Sequence, residues 1–207
     1  MTVPRVKLIS HTPDPNNIIE TALLQCQESE ENIETKRKNV GFEKRIEHIF
    51  KFKHFGVLEH AVATFQITGV SRAFSHQLVR HRVASYAQMS QRVVPVEKMG
   101  YIIPPTVMND IAALERFVET MNVCVYAYKT LVDAYKIPAE DARFLLPNAT
   151  ETQLVMTMNF RSWLHFLKLR TAPEAQWEIR NVAQIIYQHL IKISPEVFNE
   201  KYKEYWE

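Results

Sequence analysis

The chain has 207 residues and a mass of 24.2 kDa, which fit one domain able to bury its own core without disulfides. Its 25 lysines and arginines nearly balance 23 acidic residues, so the net charge of +2 excludes a strongly basic nucleic-acid module. With 46% hydrophobic and 23% charged residues, the composition is typical of a globular protein and not of a disordered one. No apolar run approaches the roughly 18 residues of a membrane span, and we expect neither a signal peptide nor a membrane partner.

Cysteine and glycine are both scarce. Cys26 and Cys124 form no CxxC pair, which favours a reducing, cytoplasmic location. Both lie in helix-like segments on faces that we expect to be buried, so neither is expected to act as a thiolate nucleophile. The four glycines are far apart, which excludes a P-loop and a GxGxxG motif. If the protein binds nucleotide phosphates, side chains must hold them, and arginine suits that task best.

The first half of the chain is predicted to begin with a strand and to continue mostly as helix. Val6–Ser10 is a short apolar run before a proline-containing turn, which indicates a strand. Asn16 or Asn17 is expected to cap a helix that reaches about Glu28, and Glu28–Lys38 is expected to be an exposed loop with more helix after it. The elements that follow are a helix at Gly41–Lys53, a buried strand at Ala61–Val70 and a helix capped by Ser71.

The second half is predicted to be mostly helical. The expected elements are short strands at Val93–Val96 and Tyr101–Ile103, a long helix at Asn109–Tyr135, a short helix from Pro138 to about Leu146, a strand at Glu151–Met158, and helices at Phe160–Leu169, Ala175–Ile193 and Pro195–Tyr205. No repeat or linker interrupts the pattern. We therefore expect a single domain over residues 1–207 of class α+β, with a mixed sheet and several helices.

The segment Arg80–Arg92 is the densest group of polar functional residues. It reads RHRVASYAQMSQR, with three arginines, one histidine and two serines directly after an apolar helix. In extended backbone Arg80 and Arg82 share one face and His81 points to the other, so the segment could contact two ligands. A basic surface strip is the alternative interpretation.

A second group lies on the predicted helix that follows Asn159. Its apolar face contains Phe160, and Arg161 and His165, four residues apart, lie on the opposite side. Arg170 lies near the helix end, where an arginine also interacts favourably with the helix dipole. Arg143 could be an ordinary ion-pair partner.

Other chemistries fit the residues poorly. His54, His60, His76 and His81 match neither HExxH nor a Cys/His zinc pattern, so we expect no metal. Ser85 and Ser90 lie in no GxSxG elbow, so neither is expected to act as a nucleophile.

The spacing within Arg80–Arg92 matches RHRxxSxxxxSxR at every fixed position, and the segment thereby resembles the signature of flavin-dependent thymidylate synthases. Further blocks resemble the same family in order along residues 54–180. They are His54 with Glu59-His60 (HxSxxEH), Gln77, Ala142-Arg143 with Leu146-Pro147 (ARxxLP), Asn159 through Arg170, and Ala175–Glu178 (AQWE).

The resemblance implies an α+β homotetramer with active sites shared between subunits. It implies reductive methylation of dUMP to dTMP, with methylenetetrahydrofolate as the one-carbon donor and FAD reduced by NADPH. The implied dUMP contacts are Gln77, Leu78, Val79, Arg80, Gln88, Met89, Ser90, Gln91, Arg92, Arg143 and Arg170. The implied FAD contacts are His54, Gly56, Arg80, His81, Arg82, Gln88, Asn159, Phe160, Arg161 and His165. Arg170 would face the uracil ring and stabilise negative charge on it, and no cysteine nucleophile would be needed.

The sequence departs from the family pattern at two of these positions. Gln88 stands where many members carry glutamate, and Gly56 replaces the serine or threonine of HxSxxEH. Neither change affects the arginines, so we expect activity to survive.

Two alternatives to this enzyme remain open from the sequence. One is a nucleic-acid-binding module that uses Arg80–Arg92, against which the low net charge weighs because such affinity comes largely from phosphate neutralisation. The other is a catalytically inactive flavin-binding relative with a regulatory role.

Overall fold

The structure, a computed structural model, describes residues 4–27 and 30–205. Its four strands form one sheet in the order β1-β2-β4-β3, and they span Arg5–His11 (β1), Val62–Ser71 (β2), Ser85–Gln88 (β3) and Glu151–Asn159 (β4). The α-helices are α1 (Pro15–Gln25), α2 (Glu30–Asn39), α3 (Phe42–Phe52), α4 (Arg72–Leu78), α5 (Pro105–Met108), α6 (Ile111–Lys129), α7 (Ala139–Ala142), α8 (Phe160–Arg170) and α9 (Trp177–Ile193). The α+β class is therefore confirmed.

Shorter helical turns connect these elements. They are 3₁₀ segments at Phe55–His60, Val96–Lys98, Arg143–Leu145 and Glu200–Tyr205, and a π-helical turn at Thr130–Ala134 that continues α6. No helix in the described ranges is both long enough and apolar enough to cross a bilayer.

The described residues divide into two compact units. The first consists mainly of Ile67–Arg80 and Ala87–Leu154, and the second of the described residues within Val6–Gln66, His81–Tyr86 and Val155–Glu207. The prediction of one domain over residues 1–207 stays a prediction.

Each unit has an apolar interior. In the first, Val96, Tyr128 and Ala142 are buried together, with half-buried residues of α6 and the turn after it packed around them. In the second, Trp163 on α8 contacts Phe65 and Phe166 edge to face at centroid distances of 5.2 and 5.5 Å. The indole N–H of Trp163 donates to the carbonyl of Ala63 at 3.2 Å, so α8 is fixed to β2.

Most of the predicted elements are confirmed, with boundaries shifted by a few residues. They are β1, α1, α3, β2, the Ser71-capped α4, α6, the short helix after Pro138, β4, α8 and α9. Sequence reasoning did not identify β3 as a strand.

The predicted beginning of α1 is wrong. Asp14 is the N-cap, and its carboxylate accepts from the backbone N–H of Asn17 at 3.3 Å. Because Pro15 occupies the first helical position, the cap must precede it, which excludes Asn16 and Asn17.

The predicted loop at Glu28–Lys38 is also wrong, because Glu30–Asn39 is helical. Its glutamates, lysines and arginine are good helix formers, and high charge alone does not prevent a helix. Glu28 itself lies outside the described residues.

Two predicted strands and one predicted helix are absent where they were expected among the described residues. Val93–Val96 is instead a turn in which the Ser90 carbonyl accepts from the N–H groups of Val93 and Val94. Within Tyr101–Ile103 only Tyr101 pairs, through an isolated bridge with Thr150. Of Pro195–Tyr205, only Glu200–Tyr205 is helical, as a 3₁₀ segment, and the Asn199 side chain caps its start by accepting from Lys201 N–H.

The predicted burial of the cysteines is wrong for Cys26, which is exposed just after α1. Helix α1 buries Ile19, Leu23 and Leu24, but it ends at Gln25, and Cys26 is the C-cap residue beyond its last buried turn. Cys124 on α6 is partly exposed, and both cysteines are free.

Candidate functional site

Arg80, the first arginine of the signature, lies two residues beyond the end of helix α4 in the first unit. The N-terminus of α4 follows β2 without a loop, because the Ser71 hydroxyl accepts from Phe74 N–H at 3.0 Å and caps the helix. Of the predicted contacts at its end, Gln77 is half-buried, and Val79 and Arg80 are exposed. Leu78 is fully buried, so only its backbone could reach a ligand.

Gln88 lies at the end of β3 in a network of hydroxyl groups. Its side-chain amide donates to Ser75 Oγ at 3.0 Å and to Thr152 Oγ1 at 3.1 Å, and Ser75 in turn donates to the Arg72 carbonyl. Hydroxyls can rotate to donate to a carboxylate, so the site can accommodate either glutamine or the glutamate that many family members carry. With glutamine, the network carries no charge.

Ser90 and Arg92 line a cleft of about 310 Å³ together with Val93 and Pro138–Glu140. The Arg92 guanidinium forms an ion pair with Glu140 in this cleft, with 2.7 Å between Nη2 and Oε2. Both side chains are about half exposed or more, so the pair contributes little to stability, and the guanidinium is accessible to another anion.

Arg143 lies close to a second arginine that sequence reasoning missed. Burial, and the positive charge of Arg143, lower the pKa of Arg72. Backbone hydrogen bonds from Arg72 to Thr150 and from Ala73 to Asn148 fix the start of α4 against the segment that follows Arg143. Two neighbouring guanidiniums attract an anion more strongly than one does. The sequence signal was the position of Arg72 directly after the cap Ser71.

In the second unit, Arg170 and His81 form a hydrogen-bonded pair. Arg170 is the last residue of α8, and its Nε–H donates to Nε2 of His81 at 2.8 Å. Burial lowers the pKa of His81 to about 4, and the positive charge of Arg170 and the nearby His165 add to this effect. The imidazole is therefore neutral at physiological pH and accepts at Nε2.

The surroundings of His81 hold it in place. Its backbone carbonyl accepts from the hydroxyl of Tyr86 at 2.9 Å, and its ring contacts Phe166 edge to face at 5.1 Å between centroids. Burial raises the pKa of Tyr86 to about 12, so this hydroxyl keeps its proton. Sequence reasoning missed Tyr86 because an aromatic residue in a polar segment has no distinguishing pattern.

Asn159 joins β4 to α8. Its side-chain oxygen accepts from Ser162 N–H at 2.8 Å, so it is the N-cap of α8. On the exposed side of that helix lie Arg161 and His165, as predicted, and Arg161 forms an ion pair with Glu59 at 2.8 Å. Phe160 is fully buried, so only its backbone could contact a ligand.

The segment with His54 and Gly56 lies in the same unit. His54 is exposed, with its ring 5.5 Å from that of His48. A Cβ added to Gly56 would have no heavy atom within 4 Å, so the serine or threonine of related sequences would fit there.

The predicted contacts therefore fall into two groups. All the predicted dUMP contacts except Arg170 belong to the first unit, and all the predicted FAD contacts except Arg80 and Gln88 belong to the second. Arg80 and Arg82 are exposed and form no ion pair with any residue that the structure describes. Exposed guanidiniums without an acidic partner are suited to phosphate groups.

No three His, Cys, Asp or Glu side chains among the described residues are grouped so that they could hold a metal ion. The predicted site residues supply mainly guanidinium groups, imidazoles, amides and hydroxyls, which can bind and orient anionic ligands.

Comparison with known proteins identifies close relatives. The sequence profile of the family described as thymidylate synthase complementing protein matches residues 7–196. A protein named flavin-dependent thymidylate synthase from Geobacter sulfurreducens is 42% identical over 202 residues, which cover 95% of this chain and 86% of that protein. Proteins of the same name from Clostridium tetani and Pyrococcus furiosus are 36% and 37% identical, over 94% and 91% of this chain and 85% and 79% of their own lengths.

Proposed function

Because this chain belongs to the thymidylate synthase complementing protein family, we propose that it is a flavin-dependent thymidylate synthase that converts dUMP to dTMP. The proposal rests on the exposure of two signature arginines. Arg80 and Arg82 are exposed, and they form no ion pair with the described residues. A chain with four scattered glycines has no glycine-rich loop for a phosphate, so arginine must take that role.

The dUMP phosphate is assigned to the exposed and half-buried arginines of the first unit. Arg92 and Ser90 line one cleft, and Arg143 lies beside Arg72. A phosphate offers three acceptor oxygens, which match the forked donors of arginine. We also assign to dUMP the side chains of Gln77, Arg80 and Gln88. The side chains of the exposed or half-buried residues among Met89–Arg92 are assigned to dUMP as well.

The side chains of the second unit fit a flavin dinucleotide. The residues assigned to it are His54, Gly56, His81, Arg82, Asn159, Phe160, Arg161 and His165, with Arg80 and Gln88 from the first unit. Arg82 supplies a cation without an acidic partner among the described residues, and His54 and His165 supply exposed imidazoles. FAD reduced by NADPH would supply the reducing equivalents that complete the methyl group.

Arg170 is assigned to the uracil ring. An imidazole acceptor carries no negative charge, so the contact with His81 orients the guanidinium without neutralising it. A fixed cation beside the pyrimidine stabilises the negative charge that develops when C5 becomes nucleophilic, an effect on the order of 2–4 kcal/mol. Methylenetetrahydrofolate is the proposed one-carbon donor.

No cysteine is assigned to catalysis. Cys26 is exposed beyond the end of α1, Cys124 is partly exposed on α6, and neither neighbours a residue of the proposed site along the chain. The free state of both cysteines agrees with the proposed cytoplasmic location. We also assign the chain to a homotetramer with shared active sites, without a nucleic-acid or membrane partner.

The test is an absorbance spectrum of the purified protein with added FAD, followed by NADPH oxidation with and without dUMP. A flavin spectrum and an oxidation rate that responds to dUMP support the proposal. A protein that binds no FAD and oxidises no NADPH contradicts it, and salt-dependent binding to generic nucleic acid would then favour the nucleic-acid-binding module.

A further inference from the structure

The contact between Arg170 and His81 defines the protonation of the imidazole. The donor is the Nε–H of a guanidinium, 2.8 Å from Nε2 of the ring. An arginine nitrogen cannot accept, so Nε2 must present a lone pair, and the ring proton lies on Nδ1. A doubly protonated ring would place two donors against each other at this distance.

The ring is held on several sides. Tyr86 donates to the His81 carbonyl, and the rings of Phe166 and His165 lie 5.1 and 6.3 Å from that of His81 between centroids. The titratable or charged groups that act on the ring are Arg170 and His165, and burial together with these two lowers the pKa of His81 to about 4. The acceptor at Nε2 is therefore present at physiological pH.

We propose that His81 is a positioning residue for Arg170, whose guanidinium plane it fixes by accepting from Nε. The inference rests on the proposed role of Arg170 in dTMP synthesis. A guanidinium is planar and includes Nε, so a hydrogen bond there restricts the rotation of the whole group. The contact with His81 involves Nε of Arg170 and neither terminal nitrogen.

This role is additional to the flavin contact assigned to His81 under the proposed function. A flavin contact alone predicts that loss of the imidazole lowers flavin content. A positioning contact predicts in addition that loss of the acceptor lowers kcat per bound flavin, and that a replacement acceptor restores it.

The experiment compares His81→Leu with His81→Gln in the full-length protein. A leucine side chain fills the space of the imidazole but has no hydrogen-bond acceptor. The side-chain oxygen of glutamine is an acceptor and can occupy the position of Nε2. His189→Gln is the matched control, because His189 is a half-buried histidine of the same unit outside the proposed site. Flavin content by absorbance, kcat and KM for dUMP are measured for each variant.

We expect His81→Leu to lower kcat at least about tenfold, because small misplacement of a catalytic group is costly. The fall is expected in kcat per bound flavin at saturating FAD, and His81→Gln should recover most of it. Full kcat in the leucine variant would overturn the inference. Equal loss of flavin and kcat in both variants would also overturn it, in favour of a flavin contact alone.

Nitrogen-15 NMR of histidine-labelled wild-type protein tests the same contact without turnover, and it applies even if the leucine variant does not fold. The expected result at neutral pH is an unprotonated, hydrogen-bonded Nε2 and a protonated Nδ1 on His81. A protonated Nε2 would overturn the inference. A wild-type protein that makes no dTMP would contradict the proposed function instead, so the two failures are distinguishable.

Discussion

At the scale of single residues, the site depends on how each arginine is partnered. Arg92 pairs with an exposed carboxylate that another anion can replace, whereas Arg170 donates to a neutral imidazole. Arg80 and Arg82 pair with no acid among the described residues. These differences predict different effects of substitution on stability and on binding.

Arg92→Ala is expected to weaken dUMP binding and to leave the free energy of unfolding almost unchanged. The ion pair with Glu140 is exposed, so its loss should change the free energy of unfolding by less than about 1 kcal/mol. Loss of a charged phosphate contact should weaken dUMP binding by about tenfold or more, measured by calorimetry. Arg116→Ala is the control, because Arg116 forms a similarly exposed pair with Glu119 away from the cleft. Equal dUMP affinity in the two variants would remove Arg92 from the site.

Arg170→Ala is expected to abolish methylation of dUMP and to leave the fold largely intact. Removal of the cation takes away the stabilisation of charge on the pyrimidine, and Arg170 is the last residue of α8, so few helical bonds depend on it. Product formation and circular dichroism are the measurements. Turnover near that of the wild type would remove Arg170 from its assigned role.

The low pKa of His81 predicts a dependence of stability on pH. From pH 6.5 down toward pH 4, the unfolded chain binds a proton at His81 that the folded protein does not bind. The free energy of unfolding should therefore fall as pH falls through this window. Urea unfolding across the window should show a smaller fall for His81→Gln than for the wild type. The same fall in both proteins would contradict the assignment.

At the scale of elements, the two strand-to-helix junctions supply much of the site. Strand β2 leads into α4 through Ser71, and β4 leads into α8 through Asn159. Each cap fixes where its helix begins, and therefore which side chains the helix presents. Asn159 is thus assigned both a structural and a ligand-binding role.

Substitutions of Asn159 should separate those two roles. Asn159→Ala removes the cap and should lower the free energy of unfolding by about 1 kcal/mol. Asn159→Asp keeps a capping oxygen, so it should retain stability while its negative charge weakens binding of the anionic flavin dinucleotide. Urea unfolding and flavin titration are the two measurements. An unchanged free energy of unfolding in Asn159→Ala would contradict the capping role, and unchanged flavin affinity in Asn159→Asp would contradict the ligand-binding role.

The sequence predicted elements best where periodicity and capping agreed, as in α6 and in the Ser71-capped α4. It failed where tertiary contacts or local chemistry decided the structure. Val93–Val96 has apolar residues typical of a strand, but a turn around the Ser90 carbonyl competes successfully for its backbone. The charged helix α2 has no apolar periodicity, so its helix-forming residues were the only signal.

Site residues were predicted from the sequence only where a motif contained them. The arginines and histidines of the signature are exposed or half-buried in the structure, but their specific contacts were not predictable. The bond between Arg170 and His81 joins residues 89 positions apart, and the position of Arg72 near Arg143 also depends on the fold. Burial of Leu78 and Phe160 likewise depends on packing, which a motif does not encode.

At the scale of the whole molecule, exposed apolar side chains point to self-association. On α6, Val123 and Tyr126 are 61% and 73% exposed and lie three positions apart, so they share a helix face. Phe144, on the 3₁₀ segment after α7, is 84% exposed. The proposed homotetramer would cover such surfaces.

Light scattering should therefore give a mass about four times that of the 24.2 kDa chain. If the α6 face lies in a subunit interface, Tyr126→Glu should reduce this mass, because an unpaired charge is costly to bury. Gln184→Glu adds the same charge at an exposed polar position of α9, outside the α6 face, and is the control. A monomeric wild-type protein would contradict the tetramer.

The proposed function requires that this chain makes dTMP without a cysteine nucleophile. The Cys26→Ser/Cys124→Ser double variant tests this when it is incubated with dUMP, methylenetetrahydrofolate, FAD and NADPH and dTMP is measured by mass spectrometry. We expect dTMP to form at a rate close to that of the wild type. An active wild-type protein whose double variant makes no dTMP while it remains folded would contradict it, as would a wild-type protein that makes none.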